Sequence, residues 1–334
     1  MLRMTAAIAP LLLCAGAATA QQQVDPKVLV VTMFGGEAAP WLENLDLSQE
    51  VTVPGLPEDF PALHCNDDVC VMTTAMGFAN AASSLSAVVY GDAVDLTDSY
   101  VLIAGIAGVD PEHGTLGSAH WARFVADAGL RHQIDPREVP EDWDTGSIPL
   151  GASEPGSDAG WTAGTELFEL NATLANRAAE ISKDVELMDS QTAGDYRSAY
   201  DQEAAQRAPF VSVCDTVSGD TYWHGEMIAE DVEATMERLS GGEGTYCTTQ
   251  MEDNATLTAL SRGAKAGLVD MSRVAVLRTG SNFDRSAPDQ TAAESLAAES
   301  GGYGPATENA YRVGNALVEE IVSNWDAWSD GVPE

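Results

Sequence analysis

Basic side chains are scarce in this chain. Only 16 Lys and Arg stand against 52 Asp and Glu in 334 residues, a formal charge of −36. Nucleic acid and anionic membrane surfaces would be repelled at low salt, so polyanions are poor partners, whereas an uncharged small molecule meets no such barrier. Histidine is thin as well. His64, His113, His120, His132 and His224 show no metal-ligand spacing, and no strand-turn-helix G-x-S-x-G element supports Ser84 or another serine as a nucleophile. Past the first twenty residues there is no apolar run of the roughly 20 residues a membrane helix needs. The chain therefore cannot build a helical path across a bilayer by itself. Internal repeats and linkers rich in Pro, Gly and Ser are also missing, so one domain is expected.

The apolar run that does occur is N-terminal. Arg3 precedes Ile8 to Ala18, and Ala18-Thr19-Ala20 offers small residues for cleavage before Gln21, which predicts residues 1–20 to be a signal peptide and the mature protein to be periplasmic or secreted. A lipid anchor on Cys14 is the weaker alternative, because no small residue directly precedes it. Cleavage removes Arg3 and leaves 15 basic residues against 52 acidic ones, a formal charge of −37. The acids are scattered instead of forming one tail, as suits a solvated surface in salty surroundings.

Four cysteines remain after cleavage, and in an oxidising compartment they can pair in three ways. The expectation is Cys65 with Cys70, closing a hairpin around Asn66-Asp67-Asp68, and Cys214 with Cys247, tying together two strands that each precede a candidate site motif. No histidine accompanies either pair, which weakens a zinc reading.

Hydrophobic patterning alternates strands with helices over the mature chain. Lys27 to Phe34 opens with a β-branched run and breaks at Gly35-Gly36. Strands are also expected at Val69 to Ala75, Tyr100 to Ala104, Pro209 to Asp215 and Arg273 to Arg278, with Ser118 to Val125 and Gly129 to Ile134 bordering a hairpin. Helices are expected at Asn80 to Tyr90, Glu166 to Ser182, Gly225 to Leu239 and Asn254 to Ala266. The Pro-, Gly- and acid-rich stretch from Asp135 to Thr162 reads as an irregular surface excursion.

The chemistry concentrates in three blocks. Ser218-Gly219-Asp220-Thr221-Tyr222-Trp223, Gln250-Met251-Glu252 and Arg278-Thr279-Gly280-Ser281-Asn282-Phe283-Asp284 supply carboxylates, an amide and aromatic faces, which suit a sugar bearing a heterocyclic base. Together with Val31-Thr32-Met33-Phe34-Gly35-Gly36-Glu37, Thr74-Ala75-Met76-Gly77-Phe78-Ala79-Asn80-Ala81-Ala82 and Gly105-Ile106-Ala107-Gly108, these blocks resemble the nucleoside phosphorylase and nucleosidase superfamily. The closer resemblance is to the purine nucleoside permease family, over approximately residues 27 to 328.

That resemblance implies a single-domain α/β fold, a three-layer αβα sandwich with a mixed central sheet. It implies a purine nucleoside as ligand, such as inosine or guanosine, and a role in nucleoside uptake, with a membrane transport component as a partner; no oligomeric state follows, and a homo-oligomer stays open. Met251 and Glu252 are placed at the ribose, where an ionised Glu252 accepts from both sugar hydroxyls. Asn282 is placed at the purine, where an amide favours a 6-oxopurine because it cannot act as an acid. Asp284 is the neighbouring carboxylate and joins Glu37 and Asn282 as a candidate catalytic residue, although Asn282 to Asp284 also fits an Asx turn. Ser218, Gly219 and Asp220 shape the pocket, and Tyr222 or Trp223 stacks on the base. Met76, Gly77, Gly105, Gly108 and Phe283 fall in the matching wall blocks; His224, which follows the aromatic pair, is a candidate to bond a sugar hydroxyl, with a structural or exposed histidine the stronger alternative.

Glu37, after the first strand, is the candidate for activating water. Phosphorolytic relatives often carry Arg just before the second Gly-rich turn, and the corresponding place here is Ile103. Arg278 or Arg285 would have to compensate in space. The motif therefore favours hydrolysis over phosphorolysis if the protein is catalytic. No cofactor is expected, and inorganic phosphate enters only under the phosphorolytic alternative.

Overall fold

The computed structural model describes residues 23–333, so the expected signal peptide lies outside the described residues. A twelve-stranded mixed sheet is built around Val28–Thr32, which runs parallel to Val69–Thr73 on one side and to Tyr100–Val109 on the other. Every residue of Val28–Thr32 is buried, as expected for a parallel strand covered on both faces. Its side chains alternate between two cores. Leu29 and Val31 join Leu85, Val88, Leu257 and Leu260, whereas Val28 and Val30 join Trp41, Val313, Leu317 and Ile321.

These two cores define the three layers. Helices Phe78–Tyr90 and Asp253–Lys265 cover one face, while Gly35–Asn44, Ala172–Ser182 and the 21-residue helix Tyr303–Ser323 cover the other. Close contact on the second face depends on Gly314: a Cβ there would stand 3.0 Å from the Trp41 ring and 3.1 Å from Leu102. The long C-terminal helix was not anticipated, although Ala306, Ala310, Val313, Leu317 and Ile321 form a buried stripe at helical spacing.

Both expected disulfides are present. Cys65 and Cys70 are directly opposed across an antiparallel pair with Cα atoms 4.1 Å apart, and Cys214 and Cys247 are 5.8 Å apart.

Several element boundaries differ from expectation for local reasons. Glu166 to Ser182 is not one helix: Leu167–Glu169 is an edge strand, and Asn171 caps the helix that follows by accepting from the amides of Thr173 and Leu174. Ser118 to Val125 is divided into Ala119–Trp121 and Phe124–Asp127. The break is held by Asp215, whose Oδ1 accepts from the amides of Arg123 and Phe124 at 2.8 Å each. Arg131–Gln133 pairs with Ser147–Pro149 inside the excursion, not with the strands before it. Gly35 begins a helix instead of a loop, and the last long strand continues from Val274 to Phe283.

Candidate functional site

The sheet opens at one place. Along one edge of Tyr100–Val109, Tyr100–Ile103 pair with Val28–Val31, and Gly108 and Val109 pair with Thr249 and Thr248; the residues between lack a strand partner on that edge. Such a change of partner leaves a crevice beyond the strand ends, where open α/β sheets hold ligands. The cleft there is lined by Met33, Phe34, Glu37, Met76, Ile106 to Gly108, Thr221 to Trp223, Thr249 to Glu252, Ser281 and Asn282.

Glu37 closes the gap chemically. It lies in the first turn of helix Gly35–Asn44, buried, with Oε2 accepting from the Met33 amide at 2.7 Å and Oε1 from the Ile106 amide at 2.8 Å. The side chain thus supplies the acceptor that the Ile106 N–H lacks from a neighbouring strand. Burial pushes its carboxyl up to about 7, against the pull of Arg278 and the two amides, with Glu252 adding repulsion. A carboxyl poised there can take a proton at neutral pH.

Beneath it, Arg278 is buried and committed elsewhere. Its Nε donates to Asp253 Oδ2 at 3.0 Å, Nη2 donates to Asp253 Oδ1, and Nη1 donates to the Ile106 carbonyl at 3.1 Å. Gly105 makes room for this arrangement, since a Cβ there would stand 2.4 Å from Glu37 Oε1 and 2.5 Å from Arg278 Nη1. Gly105 therefore lies behind the wall, not on it.

Glu252 is the second buried carboxylate facing the cleft. Oε1 accepts from the Gly77 amide at 3.0 Å and Oε2 from the Met251 amide at 3.2 Å, and burial raises its pKa, with Arg278 opposing. Gln250 Oε1 accepts from the amides of Glu252 and Asp253, both at 2.9 Å, and so starts helix Asp253–Lys265. Gly77 has φ +89°, and Ala75 before it has φ +64°, a conformation rare outside glycine. This turn leaves Met76 exposed over the mouth.

Asn282 lines the opposite side. Its Nδ2 donates to the Phe283 carbonyl at 3.0 Å, and its Oδ1 accepts from Ser281 Oγ at 2.8 Å. One amide hydrogen and one oxygen lone pair remain for a ligand. Tyr222 and Trp223 add aromatic surface, and Gly108 allows approach, as a Cβ would reach 3.4 Å from Asn282 Nδ2.

Of the residues singled out from sequence, Glu37, Met76, Gly108, Tyr222, Trp223, Met251, Glu252 and Asn282 converge on this cleft. Others stand behind it. Ser218 is buried, its Oγ receiving Gln250 Nε2 at 2.8 Å and the Asn254 amide at 3.1 Å. Asp220 accepts from the Phe78 amide at 2.8 Å and caps that helix from a distant segment. Phe283 packs on Tyr200 with ring centroids 4.0 Å apart. Asp284 is fully buried outside the lining, where it holds Arg285 and the Tyr246 hydroxyl. None of the five histidines lines the cleft, and neither does any Lys or Arg among the described residues.

Met33, Phe34, Ile106, Ala107, Thr221, Thr249, Gln250 and Ser281 also line the wall but were not singled out from the sequence. Gln250 and Ser281 sit beside recognised positions, so adjacency was the available signal. Among the described residues, no group of three or more His, Cys, Asp and Glu is arranged to hold a metal ion, and no helix is long and apolar enough to cross a membrane.

The family model described as purine nucleoside permease matches residues 25–333. A probable purine nucleoside permease of Schizosaccharomyces pombe is 40% identical over 317 residues, covering 91% of each chain. A purine nucleoside permease of Candida albicans is 38% identical over 310 residues, covering 90% of this chain and 76% of its own. Among solved structures, futalosine hydrolase of Helicobacter pylori superposes with a TM-score of 0.52 at 15% identity, covering 88% of this chain and 98% of the other. The 5'-methylthioadenosine/S-adenosylhomocysteine nucleosidase of Streptococcus pneumoniae gives 0.53 at 17% identity, covering 88% and 99%. These structural likenesses establish the nucleoside phosphorylase-like fold.

Proposed function

The chain belongs to the purine nucleoside permease family, and from that premise we propose that it is an exported protein that captures a purine nucleoside in this cleft in support of nucleoside uptake. The observation that carries the reading is the convergence of Glu37, Glu252 and Asn282 on one cleft walled by Tyr222 and Trp223. Glu252 and Met251 take the ribose, and the aromatic pair and Asn282 take the base. An oxidising compartment suits the two disulfides.

The same arrangement supports N-glycosidic hydrolysis of a 6-oxopurine nucleoside. Ionised Glu37 accepts a proton from water as the water oxygen bonds to the anomeric carbon. The electron pair of the breaking bond moves onto the purine, where the Asn282 N–H stabilises it until solvent supplies a proton. Ribose and purine are the products. Phosphorolysis is the weaker alternative, because Arg278 and Arg285 are both engaged by buried carboxylates and the cleft wall offers phosphate no cation among the described residues.

Incubation with inosine tests the enzyme reading: free hypoxanthine and ribose without added phosphate support hydrolysis, and dependence on phosphate supports phosphorolysis. Calorimetric binding with intact inosine would leave capture alone. In that case a deletion strain should lose nucleoside uptake, with a membrane component completing the passage. A protein that neither binds nor cleaves any purine nucleoside overturns the proposal.

A further inference from the structure

Asp284 does not line the cleft, yet segments forming its base end meet at this residue. Its amide donates to the Val109 carbonyl at 3.0 Å, next to Gly108, and its carbonyl accepts from the Gly225 amide at 2.9 Å, just after Tyr222-Trp223-His224. Its Oδ2 accepts from the Tyr246 hydroxyl at 2.7 Å, on the strand that carries Thr249 and Gln250. Arg285 clamps the same carboxylate through Nε at 2.8 Å and Nη2 at 3.1 Å, and Nη2 also lies 3.2 Å from Asp110 Oδ2. Asn282 is two residues away in the chain.

We infer that Asp284 is a positioning residue, which fixes the Asn282 amide and the Tyr222-Trp223 wall relative to each other and thereby sets which purine base the cleft prefers. The inference rests on the nucleoside reading above. A buried carboxylate is costly unless its oxygens are fully occupied, and here both are, by charge-assisted bonds and a phenol. Such a knot has one low-energy geometry, whereas an apolar filler would hold these segments without fixing their mutual register. Asp110 makes the role separable from folding. Burial and the Asp284 charge hold the Asp110 carboxyl up at about 7, so removing the Asp284 charge favours its ionised form and leaves Arg285 a buried carboxylate partner at 3.2 Å.

The test compares inosine and adenosine affinity in the wild type, Asp284→Asn and Asp284→Ala, with melting temperatures measured alongside. Asn keeps the side-chain volume and removes the charge; Ala removes every side-chain bond. We expect the inosine-over-adenosine preference to fall at least fivefold in Asp284→Ala and by a smaller factor in Asp284→Asn, through a change in base discrimination. Glu252→Gln should weaken both nucleosides together and leave the ratio unchanged. If Asp284→Ala does not fold, a ratio in Asp284→Asn equal to that of the wild type overturns the inference. An equal loss for both nucleosides in either folded variant does so too, since it marks a merely structural residue. A wild type that binds neither nucleoside overturns the nucleoside reading itself, and this inference with it.

Discussion

Arg278 Nη1 and Glu37 Oε1 lie 4.0 Å apart, near enough to attract and too far to share a hydrogen bond. The guanidinium is held instead by Asp253, a fully buried carboxylate that satisfies it from two sides. Glu37 therefore feels a cation already neutralised in part, and burial outweighs the attraction. Had Arg278 turned to Glu37, the carboxyl would sit low and serve as a fixed anion. Asp253, which does not line the cleft, thus holds the guanidinium back from Glu37, whose carboxyl burial pushes up to about 7.

The pH dependence of hydrolysis follows. A protonated Glu37 cannot accept a proton from water, so hypoxanthine release from inosine should decline on the acid side of about pH 7, where the group titrates. Glu37→Gln should lower the rate by about 100-fold or more and abolish that acid limb. A mutant retaining both rate and limb would remove Glu37 from the mechanism.

Gly105→Ala tests the packing behind the carboxylate. The added methyl must displace Glu37 Oε1 or Arg278 Nη1, neither of which is the free end of an exposed side chain. Overpacking of this kind costs about 1–3 kcal/mol. We expect a lower melting temperature together with a loss of turnover, and an unchanged protein on both counts would show that the pair has slack.

His120 gives an acid-stability prediction of defined sign. It is fully buried with Nδ1 2.8 Å from Ser212 Oγ, and burial lowers its pKa from 6.5 to about 4. The unfolded chain takes up the proton first, so the His120 contribution is complete above pH 6.5 and is lost as pH falls toward 4. The raised carboxyl of Glu37 acts in the other direction, its contribution being lost as pH rises through about 7. Denaturant unfolding of wild type and His120→Gln at pH 7 and pH 5 isolates the histidine: the mutant should lose less stability between the two.

Cys214–Cys247 joins the segment leading into Ser218 to the strand bearing Thr249 and Gln250, across 33 residues of sequence. A loop of that size stabilises by about 2–4 kcal/mol when closed. Paired Ser substitution at Cys214 and Cys247 should lower the melting temperature and weaken nucleoside binding together, because one side of the cleft hangs on this staple. Loss of stability with full affinity would separate the staple from the site.

The parts of this molecule legible in the sequence were those governed by local pattern. The β-branched run at Val28, the helix starting near Asn254 and the Cys65–Cys70 hairpin carry their signals within a few residues. Roles set by distant partners were illegible. Asp215 breaks a strand some ninety residues earlier by taking two of its amides, and Asp220 caps a helix that begins at Phe78. Within the site, Met251-Glu252 and Asn282 stood out by their chemistry, but nothing local tells that Asp284 turns inward to Arg285 while Asn282 faces the cleft. Strand alternation places both residues on the same side only if the strand continues, and it ends at Phe283.

Glu252→Gln carries the ribose assignment. Both carboxylate oxygens already accept backbone amides, from Gly77 and Met251, which orients the group and leaves further lone pairs for two sugar hydroxyls. An amide in its place keeps one acceptor and turns an NH2 toward a backbone N–H. A charged acceptor contributes about 1.5–3 kcal/mol per hydrogen bond, so inosine affinity should fall by about tenfold or more. The fold should persist, because helix Asp253–Lys265 is started by Gln250 and not by the Glu252 side chain. Calorimetry measures the affinity, and a crystal soaked with inosine locates the sugar. Unchanged binding by the mutant, or ribose density away from Glu252, would reassign this carboxylate to holding the Gly77 turn.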